Sequence, residues 1–134
     1  IILDESMLRA EQLRELAADA KRWILNVRVS KMGGLVRTLE LLGEAKRRGI
    51  RVIVGAHVGE SSVLTRAALT AASAARDVLV AQEGAFGTHL LARDVVDDSL
   101  MFGAGGVLQM EQTGISGASG FGLTIAADLP LRAL

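Results

Sequence analysis

Two stretches decide the fold: Ile1-Ile2-Leu3-Asp4-Glu5-Ser6 and Asn26-Val27-Arg28-Val29-Ser30-Lys31-Met32-Gly33-Gly34. Each is a short apolar run that ends in polar and charged residues, and an amphipathic segment lies between them. This pattern predicts strand, helix, strand, with polar groups collected where the strands end. In parallel α/β sheets the chemistry gathers at the C-terminal ends of the strands, which makes Asp4, Glu5, Arg28, Ser30 and Lys31 the place to look for a site.

Outward from this unit the pattern repeats. A helix is expected over 9–20, where Leu13, Leu16, Ala17 and Ala20 recur at near-helical spacing and Glu, Arg and Gln lie opposite. A strand over 23–30 alternates, with Val27 and Val29 on one face and Asn26, Arg28 and Ser30 on the other. Gly33-Gly34 turn into a helix over 35–48, whose expected buried stripe is Leu35, Leu39, Leu42 and Ala45. Its basic end suits the helix dipole, and Gly49 supplies the stop. A strand over 50–54 leads into Gly55-Ala56-His57-Val58-Gly59-Glu60-Ser61-Ser62, whose last serine is expected to cap a helix over 63–75. Ser6 is expected to cap the first helix. A fourth strand, over 78–81, ends in Gln82-Glu83-Gly84. Strand and helix alternating at about 25 residues mean βα units and a parallel sheet, here about four units, half of a (β/α)8 barrel. Beyond Gly87 the rhythm fails: loops and short irregular strands are expected, with a last helical turn over 129–134.

Composition narrows the function classes. The 134 residues carry 15 basic and 15 acidic side chains and no cysteine. Zero net charge with scattered Lys and Arg gives no footprint for nucleic acid or an anionic membrane. No apolar run reaches the roughly 20 residues of a membrane span, and no signal-peptide layout opens the chain, so a soluble cytoplasmic protein is expected. The chain opens inside an apolar strand, which suggests the C-terminal part of something longer. The glycines from Gly103-Ala104-Gly105-Gly106 to Gly122 do not follow an early strand and open a helix, as a dinucleotide-binding loop would.

Leu-Asp-Glu-Ser, Asn-Val-Arg-Val-Ser-Lys-Met-Gly-Gly, Gly-Ala-His-Val-Gly-Glu-Ser-Ser, Glu-Gly-Ala-Phe-Gly and the late Gly120-Phe121-Gly122-Leu123, in this order, resemble the C-terminal half of the barrel domain in the enolase superfamily. The subgroup is the muconate-lactonizing and mandelate-racemase type, with dipeptide epimerases and o-succinylbenzoate synthases. The resemblance implies strands five to eight plus the C-terminal segment, with the N-terminal capping domain and early strands absent. It implies Mg2+ bound by strand-end carboxylates and abstraction of a proton α to a carboxylate, as in an isomerase or lyase acting on a small carboxylate substrate. Asp4 falls on the fifth-strand metal ligand, with Glu5 supporting it. Arg28 stands where the subgroup carries its sixth-strand catalytic lysine, three positions before Lys31, which matches the lysine of the glycine turn. Glu83 corresponds to the eighth-strand carboxylate that holds or protonates substrate, within one residue of register. Glu60 and His57 belong to the seventh-strand loop, as further substrate contacts.

The residues themselves leave alternatives open. Asp4 can also be read as a solvated strand-end carboxylate or a helix cap. Arg28 cannot serve as a base near neutrality, because guanidinium stays protonated. It can stand as a fixed cation beside a developing enolate, or simply pair with a neighbouring carboxylate. Lys31 is a catalytic candidate with a structural alternative, and His57 and His89 can be ordinary solvated histidines. The whole chain can likewise be a non-catalytic barrel fragment or structural module. Four parallel strands cannot close a barrel, so a homo-oligomer, or association with the missing N-terminal half, is expected.

Overall fold

A computed structural model describes residues 1–16, 19–84, 87–108 and 118–129. Its centre is a four-stranded sheet in the order β1-β2-β3-β4, formed by β1 (Ile2–Leu3), β2 (Ile24–Val27), β3 (Arg51–Val54) and β4 (Leu79–Gln82). All three pairings are parallel, and each strand pairs with the next in sequence. Register sets Leu3 beside Leu25, Leu25 beside Val52 and Val27 beside Val54. Because side chains alternate across a strand, these matched positions share one face. Leu25, Val27, Val52 and Val54 are fully buried there, in one core with α1 (Leu35–Arg47) and α2 (Ser62–Ala74). Asn26 and the residues that follow β2 are left for the other face and the C-terminal edge.

Both long helices form where the apolar spacing places them, but α1 is rotated from the expected stripe. Thr38, Leu41, Leu42 and Ala45 face the core, while Leu39 is exposed. The observed set follows the helical repeat more closely, and the Thr38 hydroxyl is accommodated by donating to the Gly34 carbonyl at 2.8 Å. Helix α2 buries Ala67, Ala68, Ala71 and Ala72, and this small-residue face lets α1 and α2 lie against each other. Gly33 and Gly34 have φ of 80° and 116°, which a side-chain-bearing residue rarely adopts, so the tight turn between β2 and α1 depends on them.

The crossover from β1 to β2 departs from expectation. In place of one helix over 9–20 there are two 3-10 turns, Ala10–Arg14 and Ala20–Arg22, and residues 17–18 lie outside the described set. Gln12 explains the first turn. Its Oε1 accepts from the Leu8 and Arg9 amides at 2.8 and 2.9 Å, and its Nε2 donates to the Ser6 carbonyl at 3.1 Å. The bond to the Arg9 amide is the capping-box arrangement that opens a helical turn. Arg48 donates to the Leu13 carbonyl at 3.0 Å. The cap of this turn is Arg9 rather than Ser6, whose backbone carbonyl accepts from Gln12.

Strand β2 also ends earlier than expected. From Arg28 the chain turns, with the Met32 amide donating to the Arg28 carbonyl and the Gly34 amide to the Val29 carbonyl. Ser62 is the first residue of α2 rather than its cap. Its hydroxyl donates to Asp94 and accepts from the Leu100 amide at 2.6 Å, while Asp94 accepts from the Ser62 amide at 3.3 Å. An acid far along the chain therefore takes an orphan donor at the start of α2. After β4 the chain forms a short helix, α3 (Gly87–Leu90), which the sequence pattern did not suggest, and an antiparallel bridge between Val96 and Ile125. The helical turn expected over 129–134 falls almost wholly outside the described residues. Among the described residues no helix is long and apolar enough to cross a membrane.

Ala71 is fully buried on the α2 face. Ala71→Leu should therefore cost about 1–3 kcal/mol by overpacking, read as a lower urea midpoint at unchanged slope. An unchanged midpoint would show that the interface has slack.

Candidate functional site

The four strand ends bring together the polar residues that lie far apart in sequence. Asp4 follows β1, Arg28 and Lys31 follow β2, His57 follows β3 and Glu83 follows β4. At the centre stands Asp4. The Lys31 ammonium donates to Asp4 Oδ1 at 2.6 Å, to the Asp4 carbonyl at 2.8 Å and to the Asn26 carbonyl at 2.8 Å. An ammonium has three donors, and all three are used. With 8% of its side chain exposed, Lys31 is a buried positioning cation that holds the ends of β1 and β2 together.

Arg28 takes the other Asp4 oxygen. Its Nη2 donates to Oδ2, to which Asn26 Nδ2 also donates at 3.2 Å. The same Nη2 lies 3.5 Å from Glu5 Oε1, and Nη1 lies 3.4 Å from His57 Nδ1. Glu5 is largely solvent-exposed, so its share of this pairing is screened. Burial pushes the Asp4 carboxyl upward, but the Lys31 hydrogen bond and the charges of Lys31 and Arg28 outweigh it and hold the group below the usual carboxylate range. Asp4 is therefore a carboxylate held ionised between two cations.

Glu60 is buried and accepts from the Ser30 hydroxyl at 2.7 Å, which ties the loop after β3 to the turn after β2. Glu83 is exposed, and its Oε2 accepts from the Ala56 amide at 3.4 Å. A Cβ at Gly55 would stand 2.1 Å from Asn26 Oδ1 and 2.9 Å from Glu83 Oε2, so only glycine lets these two groups converge on the β3 end. Next to His57 lies a cavity of about 370 Å3, walled by Ser30, Glu60, Leu64 and Leu91. His89 lies on α3, whose first residue, Gly87, stands against the Glu60 carbonyl.

The structure thus gathers Asp4, Glu5, Arg28, Lys31 and His57 into one contact network and places Glu60 and Glu83 on its margins through Ser30 and Ala56. Asn26 is the residue that sequence reasoning passed over as a site component. Its signal was present in the alternation, two positions before Arg28 on the polar face of β2, and its Oδ1 is buried without a partner among the described residues.

The sequence matches the family described as enolase C-terminal domain-like over residues 1–129, nearly its whole length, and the chain belongs to that family. No curated protein matches the chain. Members of the enolase superfamily generally use Mg2+. The described residues do not fit that ion as they stand. Hard Mg2+ takes oxygen ligands in near-octahedral array. Here Asp4 Oδ1 is engaged by Lys31 and Oδ2 by Arg28 and Asn26. Among the described residues no three acidic or histidine side chains stand close enough to hold an ion.

The lowered acidity of Asp4 has a definite sign in stability. A carboxyl whose pKa is lower folded than unfolded adds stability above its unfolded value, and that share is lost as pH falls through the folded value. The stability gap between the wild type and Asp4→Asn should be widest near neutrality and shrink below about pH 4. Urea titrations across this range measure it; a gap that does not change with pH would mean that the ion pairs add nothing.

Proposed function

We propose that this chain supplies strands five to eight of a (β/α)8 barrel, in an enolase-superfamily isomerase or lyase that removes the proton α to the carboxylate of a small substrate. The observation that carries the reading is the posture of Arg28, a guanidinium braced by Asp4, Glu5 and His57 at the C-terminal edge of the sheet. A cation fixed before the reaction begins stabilises the negative charge that develops on an enolate, without reorganisation and without surrendering a proton. The guanidinium is not the base. That role falls to a lysine on an earlier strand of the barrel, outside this chain. Lys31, with its donors spent, positions Asp4 and thereby Arg28. Glu83 and His57 flank the substrate, and the cavity beside His57 accepts the part that does not react, which bounds the substrate to a small molecule. Cytoplasmic location accords with this reading.

Proton abstraction is tested in the complete barrel by NMR, following exchange of the α-proton of candidate carboxylic acids in deuterated water. Arg28→Lys should keep part of the exchange rate, and Arg28→Met should lose on the order of two to three decades, the scale of one oxyanion donor. Equal rates in the two variants would return Arg28 to a purely structural role.

Barrel closure is part of the same proposal. Among the described residues β1 and β4 each pair on one side only, and Ile2 and Val80 are about half exposed. Edges of parallel strands with open donors and acceptors recruit further strands. These come from a second copy or from the N-terminal half of the barrel. On its own the 134-residue chain should sediment as a dimer or larger species at concentrations on the order of tens of micromolar; a folded monomer there would overturn closure through these edges.

A further inference from the structure

Independently of the reaction proposed above, we infer that Arg28 is the resident cation of this site and occupies the place of a divalent metal, so that Asp4 is closed to metal ions in this protein. The guanidinium stands among three groups of ligand type. Nη2 touches Asp4 Oδ2 and lies 3.5 Å from Glu5 Oε1, and Nη1 lies 3.4 Å from His57 Nδ1. Carboxylate oxygen and imidazole nitrogen are groups that first-row divalent ions accept, but with the guanidinium between them these three stand too far apart to hold an ion as they are. Here a planar organic cation fills the space between them. The contact of Nη1 falls on His57 Nδ1, one of the two ring nitrogens through which an imidazole binds a metal.

Charge balance points the same way. Arg28 and Lys31 offset Asp4 and Glu5, the two carboxylates that they meet directly. A metal at Asp4 would have to displace Arg28 from a partly buried carboxylate and then stand beside the guanidinium it had displaced. Arginine keeps its charge throughout the accessible pH range, so the cation beside Asp4 persists without any supply of metal and in the presence of chelators.

Mn2+ uptake, followed by the electron paramagnetic resonance signal of the free ion, tests this. The wild-type chain should bind Mn2+ no more tightly than Asp4→Asn. Arg28→Met frees Asp4 Oδ2 and removes the competing cation, and should bind Mn2+ on the order of tenfold more tightly, a gain that adding Asp4→Asn removes. Asp4-dependent binding by the wild type that equals or exceeds that of Arg28→Met overturns the inference, as does a folded Arg28→Met with no gain. If circular dichroism shows Arg28→Met unfolded, the wild type decides. The side-chain 15N resonances of Arg28 should hold their positions on titration with Mg2+ into the millimolar range, and their displacement would overturn it.

Discussion

The ion pair between Asp4 and Lys31 is the constraint on which the strand ends depend. Strand β1 has only two residues, too short to be fixed by its ladder alone. Lys31 supplies what the ladder lacks, since one ammonium grips the Asp4 side chain, the Asp4 carbonyl and the Asn26 carbonyl. The buried ammonium is compensated by the Asp4 charge and by two carbonyl dipoles, the condition under which a buried charge is tolerable. Arg28 then has a fixed carboxylate to lean on. If Lys31 were removed, Asp4 would be left to Arg28 and Asn26, and the Asp4 and Asn26 carbonyls would lose the ammonium that they share.

The parallel sheet and its two long helices were legible because apolar periodicity is a local signal and here agrees with the tertiary fold. Val27 alternates with the polar Asn26 and Arg28, Val52 to Val54 form a short apolar run, and the boundaries of α1 and α2 fall within a residue of expectation. The crossover over 9–20 was not legible. Its apolar spacing is helical, but Gln12 bonds to the backbone of residues 6, 8 and 9, a choice that spacing does not reveal. The stripe of α1 was misjudged by its turn about the axis, because a buried threonine bonded to its own helix reads as polar in sequence.

For the site, position was legible and partnership was not. Strand ends identify Asp4, Arg28, His57 and Glu83 as neighbours, since parallel strands in sequential order bring their C-terminal ends to one edge. Which carboxylate oxygen meets which cation depends on side-chain reach. Lys31 reaches back across the turn to Asp4, although its place in the glycine turn alone suggests no such contact. Asn26 became significant only when its amide was found on Asp4 and its oxygen against the bare Gly55 backbone.

The order β1-β2-β3-β4 also bears on how the molecule comes into being. Every strand finds its partner in the next one to leave the ribosome, so the sheet can grow in the direction of synthesis without waiting for a distant segment. The Asp4, Arg28 and Lys31 cluster is complete once the first two strands have docked, before β3 exists to shield it. Ser62 behaves oppositely. Its hydroxyl must wait for Asp94 and Leu100, residues made long after the helix itself. The charges around Asp4 can be paired early in the life of the chain, while the anchoring of α2 waits for its later part.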